Sequence, residues 1–170
     1  MKTKTQSILT VMNVLSWVAF IGLMIKCGAI LFTFALSLFN EIVAKDLYEG
    51  WNLYELKKSS LVDYSLVIAL TAGLLAIKAY VAHLVIKTLS KINLSNPFQW
   101  EVANLMEKIS IMILTLWLLS LGSYAYQEYL ELPNLEWNGG ETLFLAGVIF
   151  IFAQIFKKGI EIQSENDLTV

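Results

Sequence analysis

The chain has 170 residues, 57% of them hydrophobic, with mean hydropathy +0.64 and a formal net charge of -2. Soluble domains are roughly 45 to 50% apolar, so the surplus here must face lipid. The weak negative charge argues against direct nucleic-acid binding, which needs a concentrated basic surface to displace counterions from phosphates.

Lys2 and Lys4 precede an apolar stretch from Ile8 to Phe39. It is about twice as long as the apolar region of a secretory signal and has no small-residue cleavage site, so it reads as an uncleaved first span over about 8–39. The single cysteine, Cys27, lies inside this run and reads as a small buried hydrophobe. With no second cysteine there is no internal disulfide and no thiolate metal cluster. Asn40 to Ser60 turns polar, with Tyr48, Trp51 and Tyr54 spaced as interfacial anchors and room for a short helix lying on the membrane.

A second span follows over about 61–90. Asn96, Pro97 and Gln99 then form a helix-start pattern of side-chain cap, first-turn proline and capping-box partner. The helix so begun runs over 98–129, amphipathic at first (Glu101, Asn104, Glu107 and Lys108 among apolar residues), and ends in a belt of Tyr124, Tyr126 and Tyr129. A second polar stretch from Glu128 to Glu141 is broken at Pro133 and at Gly139-Gly140, and the last span covers about 141–160. Lys157 and Lys158 anchor its far end, and a short acidic tail, 161–170, is polar enough to leave the membrane. The sum is a single all-α membrane domain, a polytopic protein with a four-transmembrane-helix bundle.

Orientation follows from lysines alone, since the chain has no arginine. Lys2, Lys4, Lys87, Lys91, Lys108, Lys157 and Lys158 fall on one side of a four-span topology and only Lys45, Lys57 and Lys58 on the other. The positive-inside rule puts both termini in the cytoplasm.

Polar residues inside spans are the candidates for function. Lys26 shares a helical stripe with Ala19, Gly22, Ala29, Thr33 and Ser37, which points it into the bundle. With no carboxylate inside any span, its partners are carbonyls, hydroxyls, water or an anionic ligand, and its protonation is left open. On the second span Ala69, Ala72, Gly73, Ala76, Ala79 and His83 form a packing stripe, so His83 is expected in an interhelical hydrogen bond. Lys78 lies on the opposite side of that helix and snorkels to an interface. Gln154 shares a face with Gly147 and is expected to donate between helices. Glu128, Glu131, Glu136 and Glu141 are spaced too irregularly to converge on a metal and read as solvated charge. Nothing resembles a phosphate loop, a zinc-protease motif or a nucleophile set, so neither an enzyme nor a cofactor is expected.

The closing segment Ile155-Phe156-Lys157-Lys158-Gly159-Ile160-Glu161-Ile162-Gln163-Ser164-Glu165-Asn166-Asp167-Leu168-Thr169-Val170 resembles the C-terminal signature of a bacterial membrane family catalogued as domain of unknown function 2975. The Asn96-Pro97-Phe98 turn and the Ile25-Lys26-Cys27-Gly28-Ala29 stretch sit where that family's pattern puts them, so the resemblance extends over nearly the whole chain. It implies four spans in the bacterial inner membrane. Because members are often encoded beside small helix-turn-helix regulators, it also implies a cytoplasmic regulatory partner; it supplies no catalytic or binding residues. The resulting expectation is an interaction or regulatory membrane component that offers Glu165, Asn166, Asp167, Leu168, Thr169 and Val170 to a basic, partly apolar surface, with a helical extension packed on the protein's own cytoplasmic hairpin as an equal reading of the same tail. The alternative is a small-molecule or ion carrier or channel acting as a homo-oligomer, with its polar path drawn from Lys26, Thr33, His83 and Gln154.

Overall fold

The computed structural model describes residues 4–93, 98–132 and 139–167. Its elements are α1 (Lys4–Phe39), a 3-10 turn (Glu41–Lys45), α2 (Tyr54–Ser59), α3 (Leu61–Lys91), α4 (Trp100–Tyr129) and α5 (Gly139–Asp167). Four of these helices are long and apolar enough to cross a membrane. At about 1.5 Å per residue, α1 extends about 54 Å, well beyond a hydrocarbon core of roughly 30 Å, so part of it must tilt or protrude.

The long helices alternate in direction and pack as a bundle in which α1 lies against α3, α3 against α4, and α4 against α5. Cross-helix bonds fix the pairing. Ser37 Oγ and Tyr64 Oη are 2.6 Å apart between α1 and α3, the Tyr126 hydroxyl donates to Asp63 at 2.7 Å between α4 and α3, and Ser110 Oγ donates to the Ala146 carbonyl at 2.9 Å between α4 and α5. Among the described residues α1 makes no close approach to α4 or α5, nor α3 to α5. The inner helices α3 and α4 are therefore flanked on two sides and keep flanks of their own uncovered.

Along α1 a row of buried and half-buried residues, Asn13, Ser16, Phe20, Leu23, Cys27, Ile30, Phe34 and Ser37, is spaced alternately three and four apart. That is the 3.5-residue seam of left-handed helix pairing. It shares Ser37 with the small-residue stripe expected from sequence and runs beside the rest of it: Lys26, Ala29 and Thr33 are half-buried, and Ala19 and Gly22 are exposed. On α3 the expected stripe is split: Ala72 and Ala79 turn inward with Ile68, Leu75 and Ile86, while Ala69, Gly73, Ala76 and His83 are exposed. In lipid both faces of a helix are apolar, so hydrophobicity does not mark the packed one, and small size alone marks it only in part.

The loop after α1 is folded, not laid flat. Asn40 caps the 3-10 turn by accepting from the Ile42 amide, and Ser60 caps α3 by accepting from the Asp63 amide. Ala44, Leu47 and Leu53 are buried in a core with Cys27, Ile30, Tyr64 and Val67, and Tyr48, Trp51 and Tyr54 pack partly buried against it. The aromatics expected as free interfacial anchors thus hold down a small cap over one end of the bundle. A second core, formed by Leu84, Leu105, Ile109, Ile113 and Ala146, joins α3, α4 and α5.

Two boundaries differ from the sequence reading. α4 begins at Trp100 with extended Gln99 as its N-cap residue and no side-chain cap bond, so Gln99 is not the third residue of a helix started at Pro97; Asn96 and Pro97 themselves lie outside the described residues. The chain is kept extended here because Phe98 lies across α5, its ring centroid 5.5 Å from that of Phe156. Secondly, α5 continues to Asp167, so the segment expected as a tail is, that far, the last turns of the helix.

Candidate functional site

The most built region is the cap. Its tip, Tyr48 to Trp51, is a tight turn closed by the Trp51 amide donating to the Tyr48 carbonyl at 3.0 Å, with Asp46 Oδ1 accepting from the Gly50 amide at 2.9 Å. Both central residues have positive φ, +49° at Glu49 and +83° at Gly50. Glycine adopts this freely, whereas a glutamate there costs on the order of 1 kcal/mol. The turn directs Glu49 at α1, where its carboxylate lies 3.7 Å from the Lys26 ammonium, which is also 5.1 Å from the Tyr48 ring centroid.

Lys26 is therefore not enclosed by helices. Its side chain is 43% exposed, and its partner is a loop carboxylate, which no count of residues within spans would reveal. The pair is worth at most about 1 kcal/mol, as exposed ion pairs are. Neighbouring bonds secure the cap more firmly. Thr33 Oγ1 donates to the Leu47 carbonyl at 2.7 Å, and the Lys57 ammonium donates to the Ser37 carbonyl. Ser37 Oγ is also 2.7 Å from the Phe34 carbonyl; spending its one proton there makes Tyr64 the donor of the Ser37–Tyr64 bond. On α2, Lys58 lies 4.4 Å from the Tyr54 ring centroid, and its pKa is raised above the usual lysine value, chiefly by its side-chain hydrogen bond with Tyr54.

Two open clefts flank the cap. One of about 290 Å³ lies among Glu49, Gly50, Trp51, Asn52 and Gln127, and one of about 550 Å³ among Asn52, Glu55, Leu56, Ser59 and Glu131. Glu131 also has positive φ, +53°. Among the described residues no three His, Cys, Asp or Glu side chains converge to hold a metal ion. Of the four glutamates near the second polar stretch, Glu128, Glu131 and Glu141 are exposed and Glu136 lies outside the described residues.

The end carrying both chain termini is held by charge and close packing. Lys157 and Glu107 pair at 2.8 Å, Lys91 and Glu101 at 3.1 Å, and Lys158 and Glu161 at 2.9 Å. Gln154 is exposed and donates to Glu107 at 3.4 Å, so it does bridge α5 to α4, through a surface carboxylate. Among the described residues His83 has no interhelical hydrogen-bond partner. It sits one position round from the α3 seam, exposed, its ring centroid 5.9 Å from that of Phe20. Lys78 is exposed on α3. Glu165 is exposed near the end of α5; Asn166 and Asp167 are described in backbone only, and Leu168, Thr169 and Val170 lie outside the described residues. The candidates are thus scattered. Glu49, Glu107 and the Asp63–Tyr126 pair were missed because each acquires its partner only through tertiary contact.

Gly159 gives this end a specific requirement, since a Cβ placed there would lie 2.7 Å from the Phe98 ring. Gly159→Ala is expected to lower the melting temperature in detergent. In a Phe98→Ala background the same change should be neutral or stabilising, by up to about 1 kcal/mol from helix propensity. Equal effects in the two backgrounds would show that the ring does not constrain this glycine.

A family model described as protein of unknown function (DUF2975) matches residues 54–170. The matched stretch takes in the Asn96-Pro97-Phe98 turn and the closing segment, and begins after the Ile25 to Ala29 stretch. Neither the curated proteins nor the solved structures give a match to the chain.

Proposed function

The chain belongs to this DUF2975 family of unknown function, and from that premise we propose that it is a non-enzymatic, multi-pass membrane component that docks a cytoplasmic regulatory protein on the end of α5. The observation that carries the reading is the continuity of α5. The helix leaves its apolar stretch at Lys157 and Lys158 and projects Glu161, Ile162, Gln163, Ser164 and Glu165 as exposed side chains. Ile162 among acids suits a basic, partly apolar partner surface, the kind a small helix-turn-helix protein offers.

Two further points support it. Lys4, Lys87, Lys91, Lys108, Lys157 and Lys158 all belong to the end of the bundle where α1 starts and α5 finishes, against Lys45, Lys57 and Lys58 at the cap end, an asymmetry that under the positive-inside rule supports a cytoplasmic side for the end of α5. A carrier needs its polar groups around one path. Lys26 and Thr33 instead engage the cap, His83 is on an outer flank of α3, and Gln154 is on the surface beside Glu107.

The test is binding of small helix-turn-helix regulators, of the kind encoded beside members of the family, to the full-length protein in nanodiscs, compared with a deletion of Glu165–Val170 and with Ile162→Lys. Both variants are expected to insert normally and to bind at least about tenfold more weakly. Unchanged binding, or none to the full-length protein, refutes the reading.

A further inference from the structure

The uncovered flank of α3 carries a cationic and aromatic group near the end of the bundle that holds the termini. Tyr80, His83 and Lys87 lie three and four residues apart, hence on one face of the helix, and all three are exposed. From α4, Lys108 reaches across to place its ammonium 5.4 Å from the Tyr80 ring centroid. These cations are not neutralised locally. The acidic residues on the same stretch of α4, Glu101 and Glu107, are engaged by Lys91 and Lys157, and among the described residues neither Lys87 nor Lys108 has a carboxylate partner.

Towards the middle of the span the same face continues through Ala76, Gly73 and Ala69, all exposed, and a Cβ added at Gly73 would meet nothing within 4 Å. The protein's own packing makes no use of these small side chains. Three small side chains in succession on an exposed face make room for a shallow trough leading from the lysines into the apolar part of the helix.

We propose that this flank is a binding site for an anionic phospholipid, whose phosphate is held by Lys87 and Lys108 and whose acyl chain lies along Ala76, Gly73 and Ala69. Charge complementarity supplies the headgroup: two unpaired ammonium groups face a layer in which the available counter-charges are lipid phosphates. Tyr80 holds Lys108 in place through its ring face, and His83 offers an imidazole N–H to a phosphate or glycerol oxygen. A lipid is favoured over free phosphate because only a lipid uses both the cations and the trough. The site rests on the chain spanning the membrane and is independent of the docking role given to α5.

The test is native mass spectrometry of the full-length protein in detergent, titrated with phosphatidylglycerol, with phosphatidylcholine of the same acyl chains, and with inorganic phosphate. Phosphatidylglycerol should bind more tightly than phosphatidylcholine. Lys87→Gln and Lys108→Gln should each weaken it about fivefold, the effect of roughly one lysine at a membrane surface, and the double variant about 25-fold. Lys45→Gln with Lys58→Gln, at the opposite end, should change nothing. Gly73→Leu fills the trough without altering charge and should weaken phosphatidylglycerol several-fold; since it and both lysines are exposed, melting in detergent should be unaffected. Equal binding of the two lipids, displacement by millimolar phosphate, or lysine effects without any effect of Gly73→Leu would each overturn the proposal, the last by reducing it to general surface charge.

Discussion

Tyr64→Ala is expected to destabilise the protein by about 3 to 5 kcal/mol, the range for removing a large buried ring. Tyr64 is fully buried where α1, the cap and α3 meet. Its ring centroid is 5.7 Å from that of Phe34, its hydroxyl bonds Ser37, and the Lys57 ammonium lies 5.9 Å from its ring centroid. The alanine therefore opens a cavity and removes the hydroxyl that donates to buried Ser37, which keeps its own bond to the Phe34 carbonyl. Tyr64→Phe keeps the ring and should cost only about 0.5 to 1.5 kcal/mol, the net value of one hydrogen bond. Reversible unfolding in mixed micelles measures both, and near-equal losses would mean that this packing does not hold the cap.

Ala153→Leu is expected to have the second largest effect, because α4 and α5 approach through small residues. Ser110 and Ala146 touch through the 2.9 Å hydrogen bond, and one heptad before Ser110 and one after Ala146, Ala103 and Ala153 have no exposed surface. Spans pair closely where such residues recur, and their attraction depends on close packing because lipid supplies no hydrophobic drive between helices. A leucine there must push the helices apart or leave its rotamer wells, at about 1 to 3 kcal/mol, and also breaks the Ser110 bond. Gly147→Leu is the matching control. A Cβ on Gly147 would meet nothing within 4 Å, so bulk at that position should be tolerated. If the two variants melt alike, the close approach of α4 and α5 is not what stabilises the pair.

These two sites mark where the sequence could be read and where it could not. The four spans were legible from apolar run length, and the all-α fold followed because a bilayer leaves no other way for such runs to satisfy their backbone groups. Their faces were harder to read. Ala19, Gly22, Gly73 and His83 were assigned to packed stripes and are exposed, because lipid and protein interior select the same residue types and only the alternation of three and four separates the seam from its neighbours. The α4–α5 pair, where small residues do mediate contact, carries no stronger sequence pattern than the α3 flank, where they do not.

The candidate residues divide in the same way. Lys26 stands out in an apolar helix, but the carboxylate that answers it belongs to Glu49, 23 residues on, in a turn with positive φ that spacing does not announce. Gln154 was expected to donate between helices and does so, to Glu107, which was read only as part of an amphipathic start. The helical continuation of α5 to Asp167 has no proline or glycine after Gly159 to oppose it, so composition alone gave it the look of a tail.

Cysteine accessibility in intact cells tests most directly whether the cap and the end of α5 lie on opposite sides of the membrane. In a Cys27→Ala background, cysteines placed one at a time at Glu55 and Glu131 should react with a membrane-impermeant maleimide added from outside. Those at Lys91 and Glu161 should react only after permeabilisation. Labelling at Glu161 from outside, or protection of Glu55 until the cells are opened, would contradict the account, because the end of α5 could not then meet a cytoplasmic partner.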